Sequence, residues 1–312
     1  MSLRFPSEPH QDKARIFRQR LLSGRLQRAV GVHDGFTALL AGRHSYDALW
    51  VSGLGISAAH GLPDAGILSM ADFLAAARIA DRASRLPVIA DCDSGFGDVN
   101  NIVHLVREYE AAGIAAVCVE DKNFPKRNSF SDGQELADPH EFATKILAAK
   151  KAQRTADFTV IARVESLVAG ASLDDALYRA DLYTAAGADA VVIHSKSKTA
   201  DEVLAFAHRF HPKHPDVPLI VIPTTYPLVS EEELAAAGVS VTIYANQMLR
   251  AFVTAADDVL ARIATDRTAG GADTQLIDVR QILDLIGTGA VSENSTWFDE
   301  TAELSRAATA RT

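Results

Sequence analysis

The chain has few cysteines and no long apolar run, and each shortage excludes a class of protein. Only two of its 312 residues are cysteine, Cys92 and Cys118, and they form no CxxC pair or other metal-binding spacing. A disulfide-stapled fold is therefore not expected, and we predict a reducing, cytoplasmic environment. No apolar run approaches the ~20 residues that a membrane-spanning helix needs. The first residues lack the apolar core of a secretory signal peptide, so none is expected.

Positive charge and glycine-rich phosphate loops are also scarce. The 31 Lys and Arg residues face 40 Asp and Glu residues, which gives a net charge of -9. A chain with this balance is not expected to bind nucleic acid or an anionic membrane, although a local basic cluster can still bind a small anion. No GxGxxG or Walker A spacing follows the first apolar run, which argues against an open doubly wound sheet.

What the sequence does contain is a series of short apolar runs that alternate with helical patterns. Such runs are typical of parallel strands buried on both faces, and eight units in roughly 235 residues match a (β/α)8 barrel. The runs cover residues 29–33, 48–51, 87–90, 115–119, 158–162, 190–193, 218–222 and 239–244. We predict an α/β fold with a (β/α)8 TIM-type barrel over residues 29–265, an N-terminal extension over 1–28, and a C-terminal helical extension and tail over 266–312.

Polar and ionisable residues follow the runs. The active site of such a barrel lies at the C-terminal ends of its strands, so these residues are expected on one rim. They are His33, Asp34, Ser52, Gly53, Asp91, Asp93, Glu120, Asp121, Arg163, Glu165, His194, Thr224 and Asn246. A single member could be a helix cap or a turn residue. The number of them at one rim favours a ligand site.

The acidic members predict a metal site. Asp91 and Asp93 are two residues apart, so on one strand they would point to the same side, with Cys92 opposite. Together with Glu120 at the next strand end they would form a set of oxygen ligands, which suits Mg²⁺ or Mn²⁺. The alternative is that these carboxylates pair with Arg163 or a nearby lysine.

The basic and amide residues predict an anion site. The segment EDKNFPKRNS, residues 120–129, is a polar loop in which Pro125 prevents a continuous helix. Its donors suit a phosphorylated or other anionic ligand, although it could be only a solvated loop. Arg163 could bind a carboxylate or phosphoryl group through two hydrogen bonds, and His194 could donate a hydrogen bond or move a proton. The turn at Ser52–Gly55 offers backbone N–H groups to a carboxylate or enolate oxygen, or is an ordinary turn.

These motifs together resemble the phosphoenolpyruvate mutase/isocitrate lyase superfamily, over roughly residues 29–265. The matching segments are SGL at 52–54, Pro63-Asp64, DCDSGFG at 91–97, EDKNFPKRNS at 120–129, ARVE at 162–165 and IHSK at 193–196. The resemblance implies an isomerase that interconverts phosphoenolpyruvate and phosphonopyruvate, through a pyruvate enolate and phosphoryl transfer, for phosphonate biosynthesis. It also implies a homodimer or homotetramer in which the last barrel helix is exchanged between subunits.

The resemblance also implies roles for individual residues. Asp91 would bind Mg²⁺ directly, with Mn²⁺ as a possible substitute, and its bound waters would be held by Asp64, Asp93 and Glu120. The substrate, a small anion, would contact Trp50, Ser52, Gly53, Leu54 and Ser129. The catalytic residues would be Asp64, Lys126, Asn128, Arg163 and His194. Among these, Lys126 and Asn128 would lie on a mobile loop, and Asn128, Arg163 and His194 would surround the phosphoryl group.

Three alternatives remain open. Hydrolysis of phosphonopyruvate is the first: hydrolases of this kind typically carry Thr-Ser where this chain has Asn128-Ser129, which favours the isomerase. The segments LPDAGILSM at 62–70 and TTYP at 224–227 favour the hydrolase instead. A carbon–carbon lyase would need a cysteine in a Lys-Cys-Gly-His setting, which the loop lacks. A non-catalytic barrel is the third, but its metal ligands would be expected to be lost, and all four carboxylates are present.

Overall fold

The computed structural model describes residues 12–309, apart from the side chains of 307 and 308. Eight parallel strands form a closed barrel in chain order, because β1 pairs with both β2 and β8. The strands are β1 (Gln27–Val32), β2 (Ala48–Val51), β3 (Val88–Asp91), β4 (Ala116–Glu120), β5 (Thr159–Val164), β6 (Ala190–Ile193), β7 (Leu219–Val221) and β8 (Val239–Tyr244). The predicted (β/α)8 barrel is confirmed.

Helices connect the strands and follow the barrel. They are α1 (Lys13–Leu21), α2 (Gly35–Ala41), α3 (Gly53–Ala59), α4 (Met70–Ala83), α5 (Val99–Ala111), α6 (Pro139–Ala152), α7 (Leu173–Ala185), α8 (Asp201–Phe210), α9 (Glu231–Ala236), α10 (Gln247–Asp266), α11 (Gly270–Asp273), α12 (Val279–Leu285) and α13 (Gly289–Thr309). Across residues 12–309, every helix is too short or too polar to cross a membrane. The helix α3 was not predicted, because its two glycines have low helix propensity; Ser52 caps it by accepting a hydrogen bond from Gly55 N.

The strand side chains alternate between two apolar layers, as the two-residue period of a strand requires. One layer fills the barrel interior and includes Trp50, Ile89, Cys118, Ile161 and Val192, together with Phe17 and Leu21 of α1. The other layer lies between the barrel and its surrounding helices. Two residues after each of these five strand residues comes a polar residue on the same, inward side. These residues lie at the C-terminal ends of the strands: Ser52, Asp91, Glu120, Arg163 and His194.

Residues 12–250 and residues 251–309 form two compact units. The second unit carries most of α10 and all of α11–α13, and many of its apolar side chains are exposed, among them Phe252, Leu260, Phe298 and Leu304. In α10 itself no residue is buried. The boundaries predicted at residues 28 and 265 and the exchange of a helix between subunits stay predictions.

Two details of the strand ends differ from the predictions. The strand β3 stops at Asp91, and Asp93 lies in a turn with a φ of 47°, so the expectation that both lie on one strand is wrong. Asp34 caps α2, where its carboxylate accepts a hydrogen bond from Thr37 N at 2.7 Å. Its neighbour His33 packs beside Gly55. These two residues therefore have a local structural explanation.

Candidate active site

The acidic side of the site is formed by the ends of β2, β3 and β4. Gly53 N donates a hydrogen bond to Asp91 Oδ2 at 3.1 Å. A Cβ added to Gly53 would lie 3.1 Å from Asp93 Oδ1 and 3.2 Å from Asp91 Oδ2, so a larger residue here would crowd both carboxylates. Asp91 and Asp93 thus converge although they do not share a strand. Glu120, at the end of β4, lines the same pocket as Asp91.

The loop that connects β4 to α6, residues 121–138, lies over this acidic side; we call it the β4 loop. Lys126 Nζ lies 2.5 Å from Asp64 Oδ1 and 3.2 Å from Asp93 Oδ1, and only 6% of Lys126 is exposed. Asn128 Nδ2 donates a hydrogen bond to Asp64 Oδ2 at 2.6 Å. Both oxygens of Asp64 therefore contact the β4 loop, which encloses the pocket on this side.

The balance of burial and neighbouring charges raises the pKa of Asp91, Asp93 and Lys126. Desolvation, together with the neighbouring carboxylates, raises the pKa of Asp91 above its usual value and that of Asp93 to about 8. The pKa of Lys126 is raised, because the charges of Asp93, Glu120, Asp64 and Asp91 outweigh the effect of its burial. The ionised forms of Asp91 and Asp93 are thus disfavoured by burial and by the neighbouring carboxylates, and a cation bound among them would stabilise those forms.

The carboxylates suit a divalent metal in chemistry but are not arranged around one. Both oxygens of Asp93 and Oε1 of Glu120 are buried and accept no hydrogen bond from residues 12–309. Carboxylate oxygens of this kind are ligands that Mg²⁺ prefers. Within the same residues, however, no group of three or more His, Cys, Asp or Glu side chains is close enough to hold a metal ion. The Lys126 ammonium group lies between two of the candidate ligands instead.

The opposite side of the pocket is basic and is formed by β5, β6 and the β4 loop. Arg163 Nη2 lies 2.8 Å from His194 Nδ1, 3.1 Å from Ser129 Oγ and 3.6 Å from Glu120 Oε2. Burial lowers the pKa of His194 below its usual value, so the ring is expected to be neutral at pH 7 without a ligand. Arg163, His194 and Ser129 thus present one fixed positive charge and two polar groups to the pocket.

A neutral wall completes the pocket at the ends of β7 and β8. It consists of Ile222, Thr224, Ala245 and Asn246. Asn246 Nδ2 lies 3.4 Å from Thr224 Oγ1, and Asn246 Oδ1 is buried with no hydrogen-bond partner among the described residues. Phe130 of the β4 loop also lines the pocket, with its ring 6.4 Å from the ring of His194. A small ligand would meet acidic, basic and neutral surfaces at once.

All but two of the predicted site residues line this one pocket: Trp50, Ser52, Leu54, Asp64, Asp91, Glu120, Lys126, Asn128, Ser129, Arg163 and His194. Gly53 and Asp93 are not in this lining, but Gly53 contacts Asp91 and Asp93 contacts Lys126, both of which are. The pocket adds Phe130, Ile222 and Ala245, which the sequence did not single out because they are apolar. Asp121 points away from the pocket and binds Arg179 and Tyr183. The individual roles of the predicted residues stay predictions.

Comparison with known proteins gives the following matches. A family model described as phosphoenolpyruvate phosphomutase matches residues 17–264. A phosphonopyruvate hydrolase from Variovorax sp. (strain Pal2) is 43% identical over 278 residues, which are 88% of this chain and 95% of that one. The crystal structure of a phosphoenolpyruvate phosphomutase from Streptomyces platensis subsp. rosaceus has a TM-score of 0.89 and 46% identity, covering 91% of this chain and 99% of that one.

A crystal structure of a phosphonopyruvate hydrolase in complex with oxalate and Mg²⁺ is similar as well. Its TM-score is 0.84 at 41% identity, and the match covers 90% of this chain and 97% of that one. Proteins with two different activities are therefore similar to this chain to nearly the same degree. Identity alone does not separate the two activities.

Proposed function

Since the chain belongs to the phosphoenolpyruvate phosphomutase family, we propose that it is an isomerase that interconverts phosphoenolpyruvate and phosphonopyruvate. The observation that carries this proposal is the contact of Asn128 with Asp64 at 2.6 Å. It brings an amide donor of the β4 loop to the pocket, where Phe130 also covers the ligand space. A pocket enclosed in this way favours return of the phosphoryl group to carbon over its capture by water.

The two charged sides of the pocket suit the two ends of such a substrate. Ser52, Gly53 and Leu54 would bind the carboxylate and enolate end, while Arg163, His194 and Asn128 would surround the phosphoryl group. Arg163 is ionised at any ordinary pH, and its planar group can bind two phosphoryl oxygens. Positioned donors of this kind stabilise the charge that develops on oxygen in the transition state. Trp50 would form the floor of the pocket, and Ser129 would contact the phosphoryl end.

The carboxylates would hold Mg²⁺, with Mn²⁺ as an alternative. Asp91 would bind it directly, and Asp64, Asp93 and Glu120 would hold its waters. The metal, when bound, supplies positive charge that stabilises an oxyanion. Lys126, which contacts Asp64 and Asp93, would have to share these carboxylates with the metal. A Mg²⁺ complex of a similar hydrolase supports this assignment.

Hydrolysis of phosphonopyruvate to pyruvate and phosphate is the second candidate. It is favoured by the 43% identity to a phosphonopyruvate hydrolase and by the polar neutral wall at Thr224 and Asn246, which could hold a water molecule. The acidic and basic sides of the pocket would serve both reactions in the same way. The difference between the two reactions lies in the access of water to the phosphoryl group.

The deciding experiment is ³¹P NMR of the purified protein with Mg²⁺ and phosphonopyruvate. We expect conversion to phosphoenolpyruvate with little inorganic phosphate. Asn128→Ala should lower the rate by about 100-fold, because one donor to the phosphoryl group is lost. Asn100→Ala, which changes an exposed asparagine on α5, should keep the rate of the wild type. Inorganic phosphate and pyruvate as the main products would establish the hydrolase instead.

The assembly of the chain is also a proposal. We expect a homodimer or homotetramer, because α10 has no buried residue and its apolar side chains Phe252, Val253 and Leu260 are exposed. A stable soluble protein rarely leaves such a surface uncovered. Light scattering coupled to size-exclusion chromatography measures the mass directly. A monomer at micromolar concentration would contradict the expectation. A cytoplasmic location stays a prediction from composition.

A further inference from the structure

A buried carboxylate to which the sequence assigned no individual role connects the β4 loop to the ends of β5 and β6. Glu165 follows β5, has no exposed surface and is not part of the pocket lining. Its oxygen Oε1 contacts Arg163 Nε at 2.5 Å and His194 Nδ1 at 2.8 Å. Its oxygen Oε2 contacts Ser129 Oγ at 2.8 Å and Lys122 Nζ at 3.0 Å. We propose that Glu165 is a positioning residue that couples the position of the β4 loop to the orientation of Arg163 and His194.

The contacts of Oε1 hold the two groups that face the ligand. Arg163 uses Nε for Glu165 and keeps its Nη2 atom for Ser129 and His194. A hydrogen on His194 Nδ1 is donated to Glu165, whereas a bare Nδ1 accepts one from Arg163 Nη2, also at 2.8 Å. The imidazole ring is therefore held through Nδ1 in either tautomer. Nε2 remains as the ring nitrogen that is available to the pocket.

The contacts of Oε2 hold the loop. Ser129 Oγ donates its hydrogen to Glu165 and accepts one from Lys122 Nζ at 2.7 Å. Lys122 Nζ also donates to the carbonyl oxygen of Arg127 at 3.1 Å. Glu165 thus contacts two residues of the β4 loop directly, Ser129 and Lys122, and reaches Arg127 through Lys122. Without the carboxylate, the loop would lose the contacts of Ser129 and Lys122 with Glu165, while the contact between Ser129 and Arg163 would remain.

Glu165 is ionised, and its backbone is held in place by Asp121. Burial alone would raise its pKa, but the charges of Arg163 and Lys122 and the hydrogen bond with His194 keep the pKa well below its usual range, so the group is ionised. Its backbone N donates to Asp121 Oδ1 at 2.8 Å, and Tyr183 OH donates to the other oxygen of Asp121 at 2.7 Å. Hydrogen bonds to an ionised group are shorter and stronger than neutral ones. Movement of the loop and of the strand ends is therefore transmitted through one fixed carboxylate.

The coupling can be measured without substrate by limited trypsin digestion of the full chain. Arg127 is exposed on the β4 loop, and its cleavage reports how often the loop opens when opening and closing are fast. We expect Glu165→Gln and Ser129→Ala each to speed cleavage after Arg127 by about tenfold, because a hydrogen bond to a charged group is lost. The double variant should be no faster than the faster single variant, since both changes remove the same contact. Mass spectrometry of the fragments identifies the cut.

Asp189→Asn is the matched control. Asp189 is another ion-paired carboxylate, with 7% of its side chain exposed, and it binds Arg18 and Lys150, both at 2.6 Å, just before β6 begins. Its replacement should lower the melting temperature without changing cleavage after Arg127. The inference is overturned if Glu165→Gln lowers the melting temperature and leaves the cleavage rate unchanged, as the control does. It is also overturned if the effects of Glu165→Gln and Ser129→Ala multiply in the double variant.

Turnover of phosphonopyruvate with Mg²⁺ separates this inference from the proposed function, on which it rests only for the identity of the ligand. Glu165→Gln and Ser129→Ala should lower kcat/KM together, whereas Asp189→Asn should not. If wild type does not turn over this substrate, the proposed function fails and the cleavage rates still decide the role of Glu165. Should Glu165→Gln fail to fold, Ser129→Ala provides the same comparison, and wild-type cleavage in that variant would refute the coupling.

Discussion

Lys126 occupies the place where a cation is expected, and replacing it should change how the protein responds to Mg²⁺. Its Nζ lies 2.5 Å from Asp64 Oδ1 and 3.2 Å from Asp93 Oδ1, with 6% of the residue exposed. Lys126→Met removes the charge and keeps a side chain of similar length. Removing one partner of a buried ion pair costs about 3–5 kcal/mol, because the other charge is left without a partner. The metal-free variant should therefore be less stable than the metal-free wild type.

Mg²⁺ should stabilise Lys126→Met more than it stabilises the wild type. In the wild type a bound cation must share the carboxylates with the ammonium group, and two unit charges 4 Å apart repel by about 4 kcal/mol at an effective dielectric constant of 20. The β4 loop can move away, so only part of that repulsion is expected. A dissociation constant for Mg²⁺ at least about tenfold lower in Lys126→Met would add about 1.4 kcal/mol of stabilisation at saturating metal.

Isothermal titration calorimetry and unfolding at a series of Mg²⁺ concentrations measure the two quantities. Lys150→Met is the control, since Lys150 Nζ lies 2.6 Å from Asp189 Oδ2, and neither residue lines the pocket. It should lose stability and keep the Mg²⁺ affinity of the wild type. If Mg²⁺ binds Lys126→Met no more tightly than the wild type, the ammonium group and the metal do not share a site, and the reasoning is refuted.

Two further substitutions test the site and the barrel. Burial lowers the pKa of His194 below the ordinary value of 6.5, so the unfolded chain binds more protons near that pH, and the free energy of unfolding should fall as the pH falls through it. In urea unfolding, His194→Gln should reduce the slope of the free energy of unfolding against pH, and the exposed control His104→Gln should keep it. Equal slopes in both variants would show that His194 does not cause the pH dependence. In Gly31→Ala the new Cβ would overlap the carbonyl oxygen of Ala245, which as backbone cannot move aside cheaply, so urea unfolding should show a loss of about 3 kcal/mol or more. Gly289→Ala, where a Cβ meets open space, should change stability by less than about 0.5 kcal/mol, and a similar small change in Gly31→Ala would show that the barrel can adjust.

The barrel and the positions of most pocket residues could be predicted from the apolar runs and the two-residue period of a β-strand. Each apolar run predicts a buried parallel strand, and residues two apart on a strand share a side. Trp50 in the interior therefore places Ser52 at the rim, and Ile161 places Arg163 there in the same way. No knowledge of the helices is needed for this step, since the strands alone define the inward direction.

Contacts between distant segments could not be predicted in this way. Asp93 leaves the strand direction because it lies in a turn with a positive φ, and it packs with Asp91 beside Gly53, which has no side chain to crowd them. The position of Lys126 depends on how the β4 loop folds back, over a separation of 62 residues from Asp64. Glu165 stood in the set of strand-end residues, but its importance lies in four partners from different segments. A sequence pattern names the residue type and does not show its partners.

The β4 loop contacts both the acidic and the basic side of the pocket and so connects them. Lys126 and Asn128 contact Asp64 on the acidic side, and Ser129 contacts Glu165 on the basic side. A loop held at both sides stays closed only while both sets of contacts are satisfied. Each such hydrogen bond to a charged group contributes about 1.5–3 kcal/mol, which corresponds to a factor of about 10 to 150 in the population of the open loop. Under the proposed function, exclusion of water from the phosphoryl group depends on that population, so a single residue of the loop is enough to shift the products from phosphoenolpyruvate towards phosphate.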